Sequence, residues 1–124
     1  MPSSTRPAYA LAGLMAAAGV THFVAPRPYD TIIPERLPGR PRTWTYASGA
    51  AELACAAAIM VPRTRRAGAL ATAALLVGVF PANVQMAYDW RRRPLPQRAV
   101  AYGRLPLQAP LVAWALKVAR VSGR

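Results

Sequence analysis

Acidic side chains are what this sequence has least of. Four carboxylates (Asp30, Glu35, Glu52 and Asp89) stand in 124 residues against 16 lysines and arginines. Charged residues make up 16% and hydrophobic residues 54%, where a soluble domain carries roughly 25% charge. The chain is therefore short of the groups that keep a surface wet. A single cysteine, Cys55, excludes an intrachain disulfide, a CxxC redox pair and a cysteine-based metal site. Beside Glu52 it reads as a small core thiol. A single histidine, His22, is too little for a zinc site of ordinary composition, and no metal is expected. At 124 residues the chain has room for one domain.

Positive charge and long apolar runs are what the sequence does have. A net charge of +12 would suit nucleic acid if it were spread along one face. It is gathered instead at the ends of apolar stretches, as Arg36, Arg40 and Arg42, then Arg63, Arg65 and Arg66, then Arg91, Arg92 and Arg93. Basic clusters flanking apolar runs mark the ends of membrane helices, so nucleic acid is set aside. Four stretches, residues 7–25, 44–61, 67–88 and 105–121, are near the roughly 17 to 25 residues that cross a bilayer as a helix. The expected fold is all-α, a single integral membrane four-helix bundle over residues 1–124 with a Pro-rich loop between helices 1 and 2. The first stretch reads as a span rather than a signal peptide, since no clear cleavage site interrupts it before Ala25.

The connections differ in kind. "PRTRR" (62–66) reads as a tight basic hairpin. Residues 26–43 hold Pro26, Pro28, Pro34, Pro38 and Pro41 and cannot form a long helix, and the "YDTIIP" segment is apolar enough to lie back on the protein or the interface. Residues 89–104 read as a third, basic loop. Pro106 and Pro110 are expected in the first two turns of the last span, the second bending it. Trp44, Tyr46, Tyr88 and Trp90 would form an aromatic belt. Seven basic residues on one face against nine on the other leave orientation open, and the compact hairpin tilts it toward cytoplasmic termini.

Each span contributes one polar side chain to the half nearer the Pro-rich loop. At 1.5 Å per residue, His22 and Gln108 lie roughly 5 Å deep, Asn83 roughly 8 Å and Glu52 roughly 12 Å. Polar groups in lipid turn inward and find one another. Glu52 could accept from Asn83 or Gln108, or pair with His22. Two readings stay open for the four: interhelical hydrogen bonds only, or a small polar cavity that binds a ligand head group or relays a proton. Small residues (Ala12, Ala16 and Gly19 on the first helix; Ala51, Ala54, Cys55 and Ala58 on the second) should let helices approach closely. Pro81 would free a helix carbonyl to line the cavity.

"GVTHFVAPRPYDTIIPERLP", "SGAAELACAAAIMVPRTRRAG", "VFPANVQMA" and "RLPLQAPLVAWAL" resemble the DoxX-like family of small four-helix bacterial membrane proteins. The positions that carry the likeness are Gly19, His22, Phe23 and Pro26; Ser48, Gly49 and Glu52; Phe80, Pro81, Ala82 and Asn83; and Pro106, Leu107 and Gln108. The resemblance implies a multi-pass protein of the bacterial inner membrane, associated with redox or oxidative-stress complexes. It implies little about activity beyond an accessory role beside an oxidoreductase of the membrane or periplasm, with a quinone or other lipid-like ligand held by His22, Glu52, Asn83 and Gln108 and no stand-alone enzyme activity, and it assigns no catalytic residue. The lack of a cysteine pair weighs against dithiol chemistry. Two other functions compete: a proton-coupled transporter like the small multidrug exporters, and an assembly or chaperone subunit without a ligand. The bilayer and a second copy of the chain are the remaining expected partners.

Overall fold

The computed structural model describes residues 5–31, 33 and 37–122. Ile32, Pro34, Glu35 and Arg36 of the Pro-rich loop, and Arg124, lie outside the described residues. The chain is all-helical, with no strand among the described residues. It runs α1 (Arg6–Val24), α2 (Pro26–Asp30), α3 (Pro41–Met60), α4 (Arg65–Asp89) and α5 (Leu95–Ser122).

Five helices stand where four were expected. α2 is a single turn begun by Pro26, whose fixed φ suits the first helical position. α3 likewise starts at Pro41, ahead of the expected residue 44. The larger correction concerns α5. It begins at Leu95, ten residues before residue 105, so most of the supposed loop 89–104 is helix. The physical reason is the same, since Pro94 precedes the helix and Pro96 falls in its first turn, where the missing N–H costs nothing. The amides of Gln97 and Arg98 both donate to the Pro94 carbonyl, at 3.0 and 3.1 Å. Pro106 and Pro110 then lie well inside the helix rather than in its opening turns.

α1 packs chiefly on α3 and α4 on α5, with α3 and α4 joining the two pairs. The main apolar core occupies the half nearest the termini. Leu11 and Met15 of α1, Cys55 and Ile59 of α3, Ala69 and Ala73 of α4, and Ala115 and Val118 of α5 meet there. Trp114 ties α5 to the start of α1, its indole N–H donating to the Pro7 carbonyl at 2.9 Å. Ala54, expected at a helix contact, is exposed. The tight passages are made by glycines. A Cβ on Gly68 would stand 2.7 Å from Ala58 Cβ, and one on Gly49 2.7 Å from His22 Cβ.

Arg65, grouped by sequence with the basic residues at a helix end, is buried. Its Nε donates to the Ile59 carbonyl at 2.7 Å and a terminal nitrogen to the Met60 carbonyl at 3.3 Å. Those carbonyls are among the last of α3 and have no partner within the helix. The guanidinium also stands 5.3 Å from the centre of the Tyr9 ring. One side chain thus closes the α3–α4 hairpin and fastens it to α1.

By length and composition α1 and α4 are apolar enough to cross a membrane, with mean hydropathies of 1.3 and 1.7 over their most apolar windows. Many large apolar side chains point outward, among them Leu14, Val20, Leu70, Val77, Val84, Leu107 and Leu116.

Candidate functional site

Beyond the main core, a smaller apolar cluster of Met86, Ala87 and Ala101 leaves room for cavities that polar side chains line. Gly19 and Gly49 bring α1 and α3 so close that a Cβ on Gly19 would sit 3.0 Å from the Gly49 carbonyl. One turn further along each helix come His22 and Glu52, whose Nε2 and Oε1 lie 3.2 Å apart. The other ring nitrogen, Nδ1, is 2.6 Å from the Ala18 carbonyl. A carbonyl only accepts, so Nδ1 carries hydrogen. The contact to Glu52 is an ion pair when the ring is protonated at Nε2 as well.

The Pro-rich loop folds back to fix the ring. Tyr29 stacks on His22 with centroids 3.8 Å apart and planes at 17°, and its hydroxyl lies 2.7 Å from the Thr21 hydroxyl. Asp30 anchors the turn to α3. It accepts from the Thr45 hydroxyl at 2.6 Å and from Arg42 Nε at 2.9 Å. The Thr45 hydrogen bond, with the Arg42 guanidinium beside it, holds the Asp30 carboxyl below its ordinary value against a smaller opposing effect of desolvation. Trp44 clasps the same loop, donating to the Pro38 carbonyl at 2.7 Å.

His22, Glu52, Asn83 and Gln108 line one cavity of about 190 Å³. A second, of about 90 Å³, adjoins it and shares His22, Tyr29, Glu52, Val79, Asn83 and Arg104. Each of the long helices α1, α3, α4 and α5 therefore supplies a polar side chain to the same enclosure. Gln108 does not reach Glu52. Its amide donates to the Leu76 carbonyl of α4, five residues before Pro81. Proline disturbs helix bonding over the turn before it, and this carbonyl has a side-chain partner as well. Leu76 lies 13 residues from the Asp89 end of α4 (89 − 76) and Gln108 13 from the Leu95 start of α5 (108 − 95). Gln108 thus sits roughly 20 Å along its helix, not 5 Å. Asn83 is 3% exposed. Among the described residues its amide makes no hydrogen bond to another protein group.

Sequence reasoning missed two members of this site. Arg104, which lines both cavities, falls by sequence in a loop because the last apolar run begins at residue 105. The signal lay in the spacing, since Arg104 and Gln108 are four residues apart and share a helix face. Tyr29 reads by sequence only as part of an apolar loop segment. Cys55, on the face of Glu52 by spacing, belongs to the main core and does not line the cavity. Among the described residues there is no cluster of three or more groups able to hold a metal ion.

Fold and site together define an all-helical protein with a polar cavity enclosed by its four long helices. The chain matches the family described as a domain of unknown function, DUF8561, over residues 11–119, and belongs to that family. This corrects the DoxX-like resemblance, for the family that matches nearly the whole chain is a different one. The motifs that suggested it are those a small helical bundle requires anyway. Gly19 and Gly49 permit close approach, and a single polar group per helix must turn inward. Comparison with curated proteins and with solved structures finds no match in either.

Proposed function

We propose that this protein is a multi-pass membrane protein whose cavity binds the polar head of an amphipathic small molecule. The observation that carries the reading is the convergence of His22, Glu52, Asn83 and Gln108, one from each long helix, on one cavity. Polar groups so arranged in hydrocarbon are costly unless paired with one another or with a ligand. Asn83, buried and without a protein hydrogen bond among the described residues, is the group that interhelical bonding alone does not explain.

Membrane residence is supported by the surface. Only 28% of the most apolar window of α4 and 33% of that of α1 are buried inside the protein. A core helix of a soluble protein hides most of such a window. Val77, at the middle of α4, is 58% exposed, and Leu116 in the second half of α5 is 48% exposed. Lipid is the environment that accepts such a belt. Trp44, Tyr46 and Tyr88, exposed at the end bearing the Pro-rich loop, suit the interface.

A second reading rests on the His22–Glu52 pair. Two titratable side chains in contact and facing a cavity suit a proton-coupled transporter as well as a binding protein. The deciding experiment is mass spectrometry of small molecules retained after gentle detergent extraction, wild type against Asn83→Leu and Glu52→Gln. A retained amphiphile that both substitutions reduce supports binding. Proton-driven uptake into vesicles, abolished by Glu52→Gln, would assign transport instead. Stoichiometric co-purification of a protein with no small molecule would assign an assembly role.

A further inference from the structure

α3 and α4 touch at the hairpin, where Gly68 meets Ala58, and separate toward the opposite end. The space between them there is a groove of about 750 Å³, walled by Trp44 and Ser48 on one side and by Gly78 and Pro81 on the other, with Ile33 and Leu37 of the loop above it. It adjoins the polar cavities. Val79 lines the groove and both cavities, Leu75 the groove and the larger cavity, and Ser48 and Ala82 the groove and the smaller one.

Volume and charge say what fits. The cavities, at about 190 and 90 Å³, fall below the roughly 300 to 1,000 Å³ of whole-ligand sites. The groove lies within that range. A small head group in the cavity and an apolar chain in the groove would use both spaces. The head group's sign follows from Arg104. Glu52 feels the Arg104 charge only at longer range, its ion-pair contact being with His22. No carboxylate lies within ion-pair distance of Arg104 among the described residues. Arg104 therefore faces both cavities without an ion-pair partner among the described residues, and the Asn83 amide in the same lining makes no protein hydrogen bond among them. A partly buried cation left unpaired in a low-dielectric cavity favours an anion strongly.

Resting on the binding role proposed above, we infer that the ligand is a single-chain amphiphile with a carboxylate head. The carboxylate meets Arg104 and Asn83, and the acyl chain lies in the groove between α3 and α4. An arginine receives a carboxylate through two parallel N–H donors, and the amide of Asn83 supplies a further donor. The groove opens sideways between two helices, so a chain can enter from the surrounding acyl layer without leaving it.

Trp44 in the groove wall provides the readout. In protein keeping Trp44 as its sole tryptophan (Trp90→Phe, Trp114→Phe), 9,10-dibromostearate should quench fluorescence saturably, with half-effect at about tenfold lower concentration than its methyl ester. Arg104→Gln should bring acid and ester together, and Arg104→Lys should keep part of the difference. A control with Trp114 alone, at the far end of the bundle, should show no saturable quenching by either. Equal saturable quenching of Trp44 by acid and ester, unchanged by Arg104→Gln, would overturn the anionic ligand while leaving cavity binding intact. No saturable quenching of Trp44 by either probe would overturn both.

Discussion

Gly19 and Gly49 face each other across the α1–α3 contact with no room for a methyl group on either. A Cβ on Gly49 would stand 2.7 Å from His22 Cβ and 2.9 Å from the Phe23 ring, and one on Gly19 2.8 Å from Leu53 Cγ. Each glycine lies three residues before a member of the His22–Glu52 pair, so the close crossing sets the 3.2 Å contact. The site is assembled by what these positions lack.

Gly49→Ala is accordingly expected to cost about 1 to 3 kcal/mol through overpacking and to displace His22 from Glu52. Gly13→Ala, whose Cβ would meet nothing within 4 Å, should leave stability unchanged or slightly raised. Thermal unfolding in detergent, run on both variants, makes the comparison.

Glu52→Gln keeps a donor for His22 Nε2 and should fold with little loss. Glu52→Leu leaves that nitrogen without its partner, at a cost of about 1 to 3 kcal/mol. If the leucine variant proves as stable as the glutamine one, the contact between His22 and Glu52 adds nothing to stability. The readout is the unfolding midpoint of each variant.

Arg65→Leu should destabilise the hairpin end by about 1.5 to 3 kcal/mol, the value of charged hydrogen bonds to carbonyls. The exposed neighbours Arg63 and Arg66, changed in the same way, should cost less than about 0.5 kcal/mol. Amide exchange at the end of α3 would locate the effect.

The loop clasp depends on pH through Asp30. Its carboxyl is held below the ordinary value of 3.8, chiefly by the Thr45 hydroxyl. A depressed folded value means the unfolded chain takes up the proton first. The clasp's contribution is therefore complete above about pH 4 and lost as pH falls through the folded value. A carboxyl ¹³C titration should place Asp30 below an unfolded reference. Asp30→Asn should remove this acid-dependent step and loosen the contact to Thr45.

How far the sequence reveals this structure depends on the element. α1, α3 and α4 show plainly as apolar runs because proline or arginine clusters bound them, as at Pro7, Pro41 and Arg65. α5 does not, since Pro94 and Pro96 read equally as loop or as a helix start, and only packing against α4 decides. That ambiguity hid Arg104 and misplaced the depth of Gln108. His22, Glu52, Asn83 and Gln108 stand out on polarity alone because each interrupts an apolar helix. Their partners do not, for the choice of His22 for Glu52 and of the Leu76 carbonyl for Gln108 depends on how closely Gly19 and Gly49 let the helices cross.

If the polar cavity lies within a lipid-embedded bundle, the outward apolar side chains of its helices meet acyl chains. Spin-label accessibility in bilayers decides this, with single cysteines at Val20, Val77 and Leu116 in a Cys55→Ala background. Collisions with dissolved oxygen and protection from a water-soluble nickel chelate are expected at all three positions. Free access of the nickel chelate to these positions would contradict a lipid-embedded bundle.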